Sequence, residues 1–257
     1  MFNTQLPWHL KSNRYAVLGV PRSGTQLLEA FVNYSLSKQY DDVVSLQEIF
    51  TMAACAINTL KIEDGKAKLY DYSDVRFQDI AVVTSQRLEL LKQADSNQAM
   101  TARVFLDDRM ASHSLADGIR YLQDLNFSFV YINRSMEHKI ISAIFARRSW
   151  IYNRIKNPNT LHIDIPDLKT RLIGLHMIEQ QNKKVLDAIT AYDTVEYDSV
   201  VNMTADLDDH ERQLAYGIFK EKQLPTDPYE QISNADEVKE VFTDFYPKLL
   251  ELTTQLL

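Results

Sequence analysis

One cysteine, Cys55, is the only thiol in this chain of 257 residues. Its solitude excludes an intrachain disulfide and any zinc site built on several cysteines, and it fits a reducing compartment. No stretch approaches the roughly 18 uninterrupted apolar residues of a membrane span. The opening residues, "MFNTQLPWHLKSNR", hold no apolar core of signal-peptide length. An excess of positive charge is also missing. The 28 Lys and Arg stand against 35 Asp and Glu for a formal net charge of −7, so no global field draws the chain to nucleic acid or to an anionic membrane. Internal repeats, low-complexity tracts and linkers of biased composition are absent as well. A soluble, cytoplasmic globular protein is the expectation, and a local basic pocket remains compatible with it.

Five short apolar or β-branched runs read as strands: "YAVLGV" (15–20), "DVVSLQ" (42–47), "ARVFL" (102–106), "FSFVYI" (127–132) and "DTVEY" (193–197). The first and fourth are apolar on consecutive residues, as strands buried on both faces are. Helical spacing of apolar residues fills the intervals at 25–37, 137–152 and 167–191. Strand alternating with helix predicts an α/β fold in three layers: a P-loop NTPase-like central parallel sheet of about five strands flanked by helices. The segments "EDGKAK" (63–68), "ADSNQ" (94–98), "IKNPNT" (155–160) and "LPTDP" (224–228) read as breakers and loops, none long enough to separate domains. The simplest organisation is a single domain over 1–257 with a helical C-terminal part. There "VFTDFYPKLLELTTQLL" is amphipathic enough to pack on the core, and Pro247 is expected to begin a new helical turn.

The most informative segment is "YAVLGVPRSGTQLLEAF" (15–31). Strand, glycine loop and helix follow in the order of a phosphate-binding loop. Gly19 and Gly24 permit backbone turns that a side chain would obstruct. The amides of residues 22–26 can then converge on an anion at the helix N-terminus. Thr25 adds a hydroxyl and Arg22 a planar cationic fork. Nucleoside triphosphate hydrolases instead place Lys and then Ser or Thr after the last glycine, to grip the β and γ phosphates and hold Mg²⁺. Here Thr25 follows Gly24 directly. The loop therefore suits a single phosphoryl-type group with no obligatory metal. Taken alone, the same residues also suit a tight turn that caps a helix.

A second constellation lies in "FVYINRSMEHKIISAIF": Arg134 closes a strand, and Ser142 follows eight residues later on a helix. Ligands of open parallel sheets bind at the carboxyl ends of the strands, so Arg134 and the 19–25 loop could meet one ligand, although taken alone Arg134 and Ser142 read as a surface arginine and a helix serine. Together these segments resemble the sulfotransferases that use 3′-phosphoadenosine-5′-phosphosulfate. "GVPRSGT" is similar to that family's 5′-phosphosulfate loop, in the arginine form of its tyrosylprotein and bacterial branches. The run from "FVYINR" to Ser142 is similar to its 3′-phosphate motif. "TVEYDSVV" (194–201) and "LQEIF" (46–50) resemble two further family segments, in family order.

The resemblance implies a sulfotransferase, an enzyme that moves a sulfuryl group from this nucleotide co-substrate to a hydroxyl or amine without a metal. It implies that Arg22, Ser23, Gly24, Thr25 and Gln26 surround the 5′-phosphosulfate, that Arg134 and Ser142 hold the 3′-phosphate, and that Tyr197 lies beside the adenine, a position that an ordinary core tyrosine ending a strand would fill equally well. Glu48 is the implied general base and His113 the alternative, while His138 reads as helix surface. The "DDR" run (107–109) is either an acceptor-positioning loop or a solvated charged turn. The family's further basic residue a turn beyond the serine falls here on Ala146, with Arg147 next to it. No Arg-Lys-Gly occurs in the C-terminal third, where Lys220 or Lys222 would have to substitute. Small-molecule, glycan, lipid and peptide acceptors all remain open, as does the oligomeric state; nucleic acid and membrane partners are not expected. Two other readings compete: a small-molecule or nucleotide kinase, which needs the missing loop lysine and acidic Mg²⁺ ligands, and a nucleotide-binding module without catalysis.

Overall fold

Tyr15, Ala16, Val17 and Leu18 are apolar in succession, so a strand made of them presents apolar side chains on both faces and needs cover on both. They lie in β1 (Arg14–Gly19), all of whose residues are buried. The computed structural model describes residues 10–49, 58–63, 66–71, 91–92, 94–106, 115–152, 161–205 and 228–256. By its contacts the chain divides into two compact units, 1–134 with 182–221, and 135–181 with 222–257.

In the first unit β1 is the middle of an all-parallel set with β2 (Asp42–Glu48), β5 (Ala99–Phe105), β6 (Ser128–Asn133) and β7 (Asp193–Glu196). Their order across the sheet is β2-β5-β1-β6-β7. These are the five strands expected from the sequence. β5 begins three residues earlier than its apolar run suggested, because Ala99, Met100 and Thr101 are buried beside β1 and β2. A hairpin that was not foreseen, β3 (Asn58–Glu63) with β4 (Lys66–Asp71), extends the β2 edge antiparallel. "EDGKAK" is thus largely strand. Glu63 pairs with Lys66 across Asp64-Gly65, and this dipeptide joins hairpin strands as readily as it ends other elements.

Helix α1 (Thr25–Ser37) lays Leu28, Phe31, Val32 and Leu36 on Tyr15, Val17, Val43 and Val130, and α5 (Tyr197–Ala205) adds Tyr197 and Val200 to the same cluster. Ala16, Leu18, Ala102 and Val104 alternate with that face and are equally buried, as are Ile119 and Leu122 of α2 (Leu115–Asp124). The fold is α/β, with a central parallel sheet flanked by helices in a P-loop-like arrangement. Its order puts β1 where the chain turns first toward β2 and later toward β6, and crevices at carboxyl strand ends form at such switch points.

The second unit is helical. It contains α3 (Met136–Tyr152), most of α4 (Ile165–Ile189), α6 (Ala235–Glu240) and α7 (Tyr246–Leu256). Ser135 caps α3 by accepting the His138 amide at 3.3 Å, and Asp164 caps α4 by accepting the Asp167 amide at 2.7 Å. Met136, Ile140, Leu168, Leu172, Val238, Val241 and Leu249 form its core. The C-terminal segment packs here as expected of an amphipathic helix. A π-helical turn, Val241–Phe245, precedes α7, and Pro247 is the second residue of that helix. The wide turn suits a proline that has no N–H to give and whose ring crowds the carbonyl four residues back. Among the described residues no helix is long and apolar enough to cross a membrane.

His176 of α4 makes this unit sensitive to acid. Thr253 Oγ1 lies 2.9 Å from His176 Nε2 and within hydrogen-bond reach of the Leu249 and Leu250 carbonyls, at 2.9 and 3.1 Å. The ring stands edge-on to Tyr246. Burial pushes His176 below the ordinary histidine value, and Glu179, itself paired with buried Lys139 at 2.5 Å, opposes the shift without cancelling it. The unfolded chain therefore takes up a proton first as pH falls. Above the unfolded value of about 6.5 the residue contributes no pH dependence, and below it stability declines until the folded value is passed. The thermal midpoint is expected to fall between about pH 7 and 5.5, and His176→Gln, whose amide can donate to or accept from Thr253, is expected to flatten the decline. Parallel pH curves for the two proteins would show that His176 is not the group responsible.

Candidate functional site

The chain leaves β1 at Gly19 and turns back over itself within five residues. A side chain at Gly19 would stand 2.5 Å from Ser23 Oγ and 2.9 Å from Thr25 Cγ2, so the fold-back requires glycine. Gly24 is left-handed (φ 101), and a Cβ there would lie 2.7 Å from Tyr197 Cε2. Backbone and packing thus both demand glycine at this position. Ser23 is fully buried and closes the turn. Its amide and its hydroxyl both donate to the Val20 carbonyl, at 3.2 and 2.7 Å. Of the amides expected to converge on an anion, that of Ser23 is therefore turned into the loop itself.

Gly24 caps α1 without a side chain, and the first turn of the helix carries no acidic residue. The first helical bond runs from the Leu28 amide to the Gly24 carbonyl. The amides from Gly24 to Leu27 precede that ladder at the positive end of the helix dipole. Thr25 is buried at the head of the helix and Gln26 is half-buried beside it.

Two cations meet at this end of the sheet. Arg22 has left-handed backbone (φ 70), and its carbonyl accepts a hydrogen bond from Arg134 Nη1 at 2.9 Å. Arg134 arrives directly from the carboxyl end of β6, and its guanidinium lies 4.0 Å from the centroid of the Tyr197 ring. Burial lowers the pKa of both arginines; Arg134 lowers that of Arg22 further, and Tyr197 and Asp198 partly offset the effect on Arg134. Two like charges held together in a half-buried cradle at an uncapped helix N-terminus are arranged to bind an anion.

Glu48 is the last residue of β2, in register with Arg103 of β5, which is in turn in register with Val17 of β1. Its backbone is therefore two strand spacings, about 10 Å, from β1; its side chain is outside the described residues. Ser142 is half-buried on α3 in the second unit, and its pairing with Arg134 stays with the sequence spacing. His138 is half-buried in the first turn of α3. The side chain of Arg147 and the whole of His113, residues 107–109, Lys220 and Lys222 lie outside the described residues.

Sequence reasoning missed a buried polar network behind the loop. Glu29 of α1 and Arg103 of β5 form an ion pair, Oε2 to Nε 2.7 Å, with side chains only 3% and 2% exposed. Ser45 Oγ donates to Glu29 Oε1 at 2.7 Å, and Thr101 Oγ1 stands 3.2 Å from the same oxygen and 2.7 Å from Asn33 Oδ1. The network ties the helix that carries the loop to β2 and β5. A signal was present in the sequence: one acid between Leu28 and Phe31 on an apolar helix face, and one base between Ala102 and Val104 in an apolar strand.

The class that fold and site define is an α/β protein of P-loop-like architecture with two arginines, Arg22 and Arg134, gathered at the carboxyl end of its central strands. No protein-family model matches the chain, and no curated protein matches it.

Proposed function

We propose that the chain is a sulfotransferase that moves the sulfuryl group of 3′-phosphoadenosine-5′-phosphosulfate to a hydroxyl or amine acceptor. The observation that carries this reading is the approach of Arg134, from the end of β6, to the carbonyl of Arg22 in a glycine loop that has no lysine. One basic group at a 5′-phosphosulfate and a second beside it suit a nucleotide with phosphate at both the 5′ and 3′ positions. A triphosphate with Mg²⁺ would call for the missing lysine. In this reading the acceptor oxygen bonds to sulfur as the bond from sulfur to the bridging oxygen breaks, and that electron pair leaves with adenosine 3′,5′-bisphosphate. Glu48 takes the acceptor's proton. Arg22 and the α1 amides neutralise the charge that builds on the bridging oxygen.

Isothermal titration with adenosine 3′,5′-bisphosphate, and with ADP and ATP in Mg²⁺, tests the proposal. Selective binding of the bisphosphate that persists in EDTA is the expected result. A preference for ATP with Mg²⁺ would replace the reading with a kinase. Bisphosphate binding without turnover on any of a panel of phenols, alcohols, amines and sugars would reduce it to a binding module.

A further inference from the structure

We infer that Arg134 and Tyr197 act as a clamp that fixes the loop in its anion-binding conformation, a positioning role separate from contact with a 3′-phosphate or an adenine. The inference deepens the proposed sulfotransferase reading and rests on the loop being its anion site.

The reason lies in the backbone. A non-glycine residue in the left-handed region persists only where its surroundings hold it, and Arg22 is such a residue, at φ 70. The bond from Arg134 Nη1 to its carbonyl, 2.9 Å long, restrains one side of that peptide, whose other side, the Ser23 N–H, donates to the Val20 carbonyl at 3.2 Å. A charged donor makes it stronger than a bond between neutral groups. Arg134 is in turn held flat by Tyr197, 4.0 Å from the ring centroid. The edge of the same ring occupies the space where a side chain at Gly24 would lie. Tyr197 therefore touches the loop twice, through Arg134 and through Gly24. Ile132 completes the support: its methyl groups are 3.1 and 3.2 Å from where Cβ atoms at Gly19 and Gly24 would be. Ile132 is paired with Val195 across β6 and β7, so the support is rooted in the sheet. Arg134 Nε is buried and has no hydrogen-bond partner among the described residues.

The two roles make different predictions. If Arg134 served the 3′-phosphate alone, its loss would remove only the advantage of adenosine 3′,5′-bisphosphate over AMP. A clamp makes binding of AMP, which carries the 5′-phosphate alone, depend on Arg134 too. The first measurement needs no ligand: amide exchange by NMR at Ser23 and Leu28, whose N–H groups close the loop on Val20 and the first helical turn on Gly24. In Arg134→Met and Tyr197→Leu these amides are expected to exchange about tenfold faster than in wild type, and AMP binding to weaken about tenfold, with the thermal midpoint of Arg134→Met little changed and that of Tyr197→Leu lowered by the loss of a core ring. Tyr197→Phe, which keeps the ring, is expected to behave as wild type in both. Should Tyr197→Leu fail to fold, Arg134→Met decides the matter. Unchanged exchange in Arg134→Met, or loss of only the bisphosphate's advantage over AMP, would overturn the clamp. Wild-type protein that binds neither nucleotide would overturn the sulfotransferase reading instead, and the exchange rates would still decide the clamp.

Discussion

Under the proposed sulfotransferase reading, Arg22→Ala is expected to slow sulfuryl transfer about 10²- to 10³-fold while the protein stays folded, the range seen when one donor to a developing oxyanion is removed. The size of the effect follows from where the residue stands. Arg22 is half-buried at the head of α1 with a second guanidinium close enough to lower its pKa. A charge that develops there meets less screening than at an open surface. Folding loses little because the backbone at this position is left-handed whichever of the two side chains it carries, and both lack glycine's freedom. Arg22→Lys is expected to recover only part of the rate, since a point charge replaces a planar fork. Single-turnover rates with the sulfuryl donor and a phenolic acceptor, read beside thermal midpoints, check both variants. Wild-type rates in Arg22→Ala would remove the loop from the chemistry.

Glu29→Gln is expected to destabilise the protein by about 3–5 kcal/mol, the cost of removing one partner from a buried ion pair. For a chain of this size that lowers the thermal midpoint by about 10 °C. The carboxylate of Glu29 faces the Arg103 guanidinium in a region where both side chains are almost wholly excluded from water. The Ser45 hydroxyl donates to it as well. Glutamine keeps an oxygen for that hydroxyl and loses the charge that answers the arginine. The double variant Glu29→Leu with Arg103→Met is expected to be more stable than Glu29→Gln, because a buried pair replaced as a whole leaves no charge behind. Urea unfolding of the three proteins measures both effects. A loss below about 1 kcal/mol in Glu29→Gln would place the pair among the weak ones typical of exposed sites.

Much of the first unit was legible in the sequence because two of its parallel strands, β1 and β6, are buried on both faces and so carry uninterrupted apolar runs, Tyr15–Leu18 and Phe129–Ile132. The span of α1 was legible for a related reason: Leu28, Phe31, Val32 and Leu36 repeat at helical spacing and meet one face of the sheet. The β3–β4 hairpin was not legible. Its strands interleave Lys, Asp and Glu with apolar residues and hold no apolar run longer than two, and Asp64-Gly65 signals a turn without saying whether strands flank it. The buried pair escaped as well, since neither Glu29 nor Arg103 announces its burial until the other is beside it.

By itself the sequence determined which segments must be covered on both sides, where a glycine loop joins strand to helix, and that this loop lacks the lysine a triphosphate requires. These are local properties, set by side-chain size, backbone freedom and spacing along the chain. Only the tertiary structure decided that Arg134 reaches the carbonyl of Arg22, that Tyr197 stands under its guanidinium and against Gly24, and that Ser23 turns inward to Val20. Each of the first two depends on parallel strands that bring distant residues to one end of the sheet. The third depends on how sharply the loop folds back, and no local pattern of residue types encodes that.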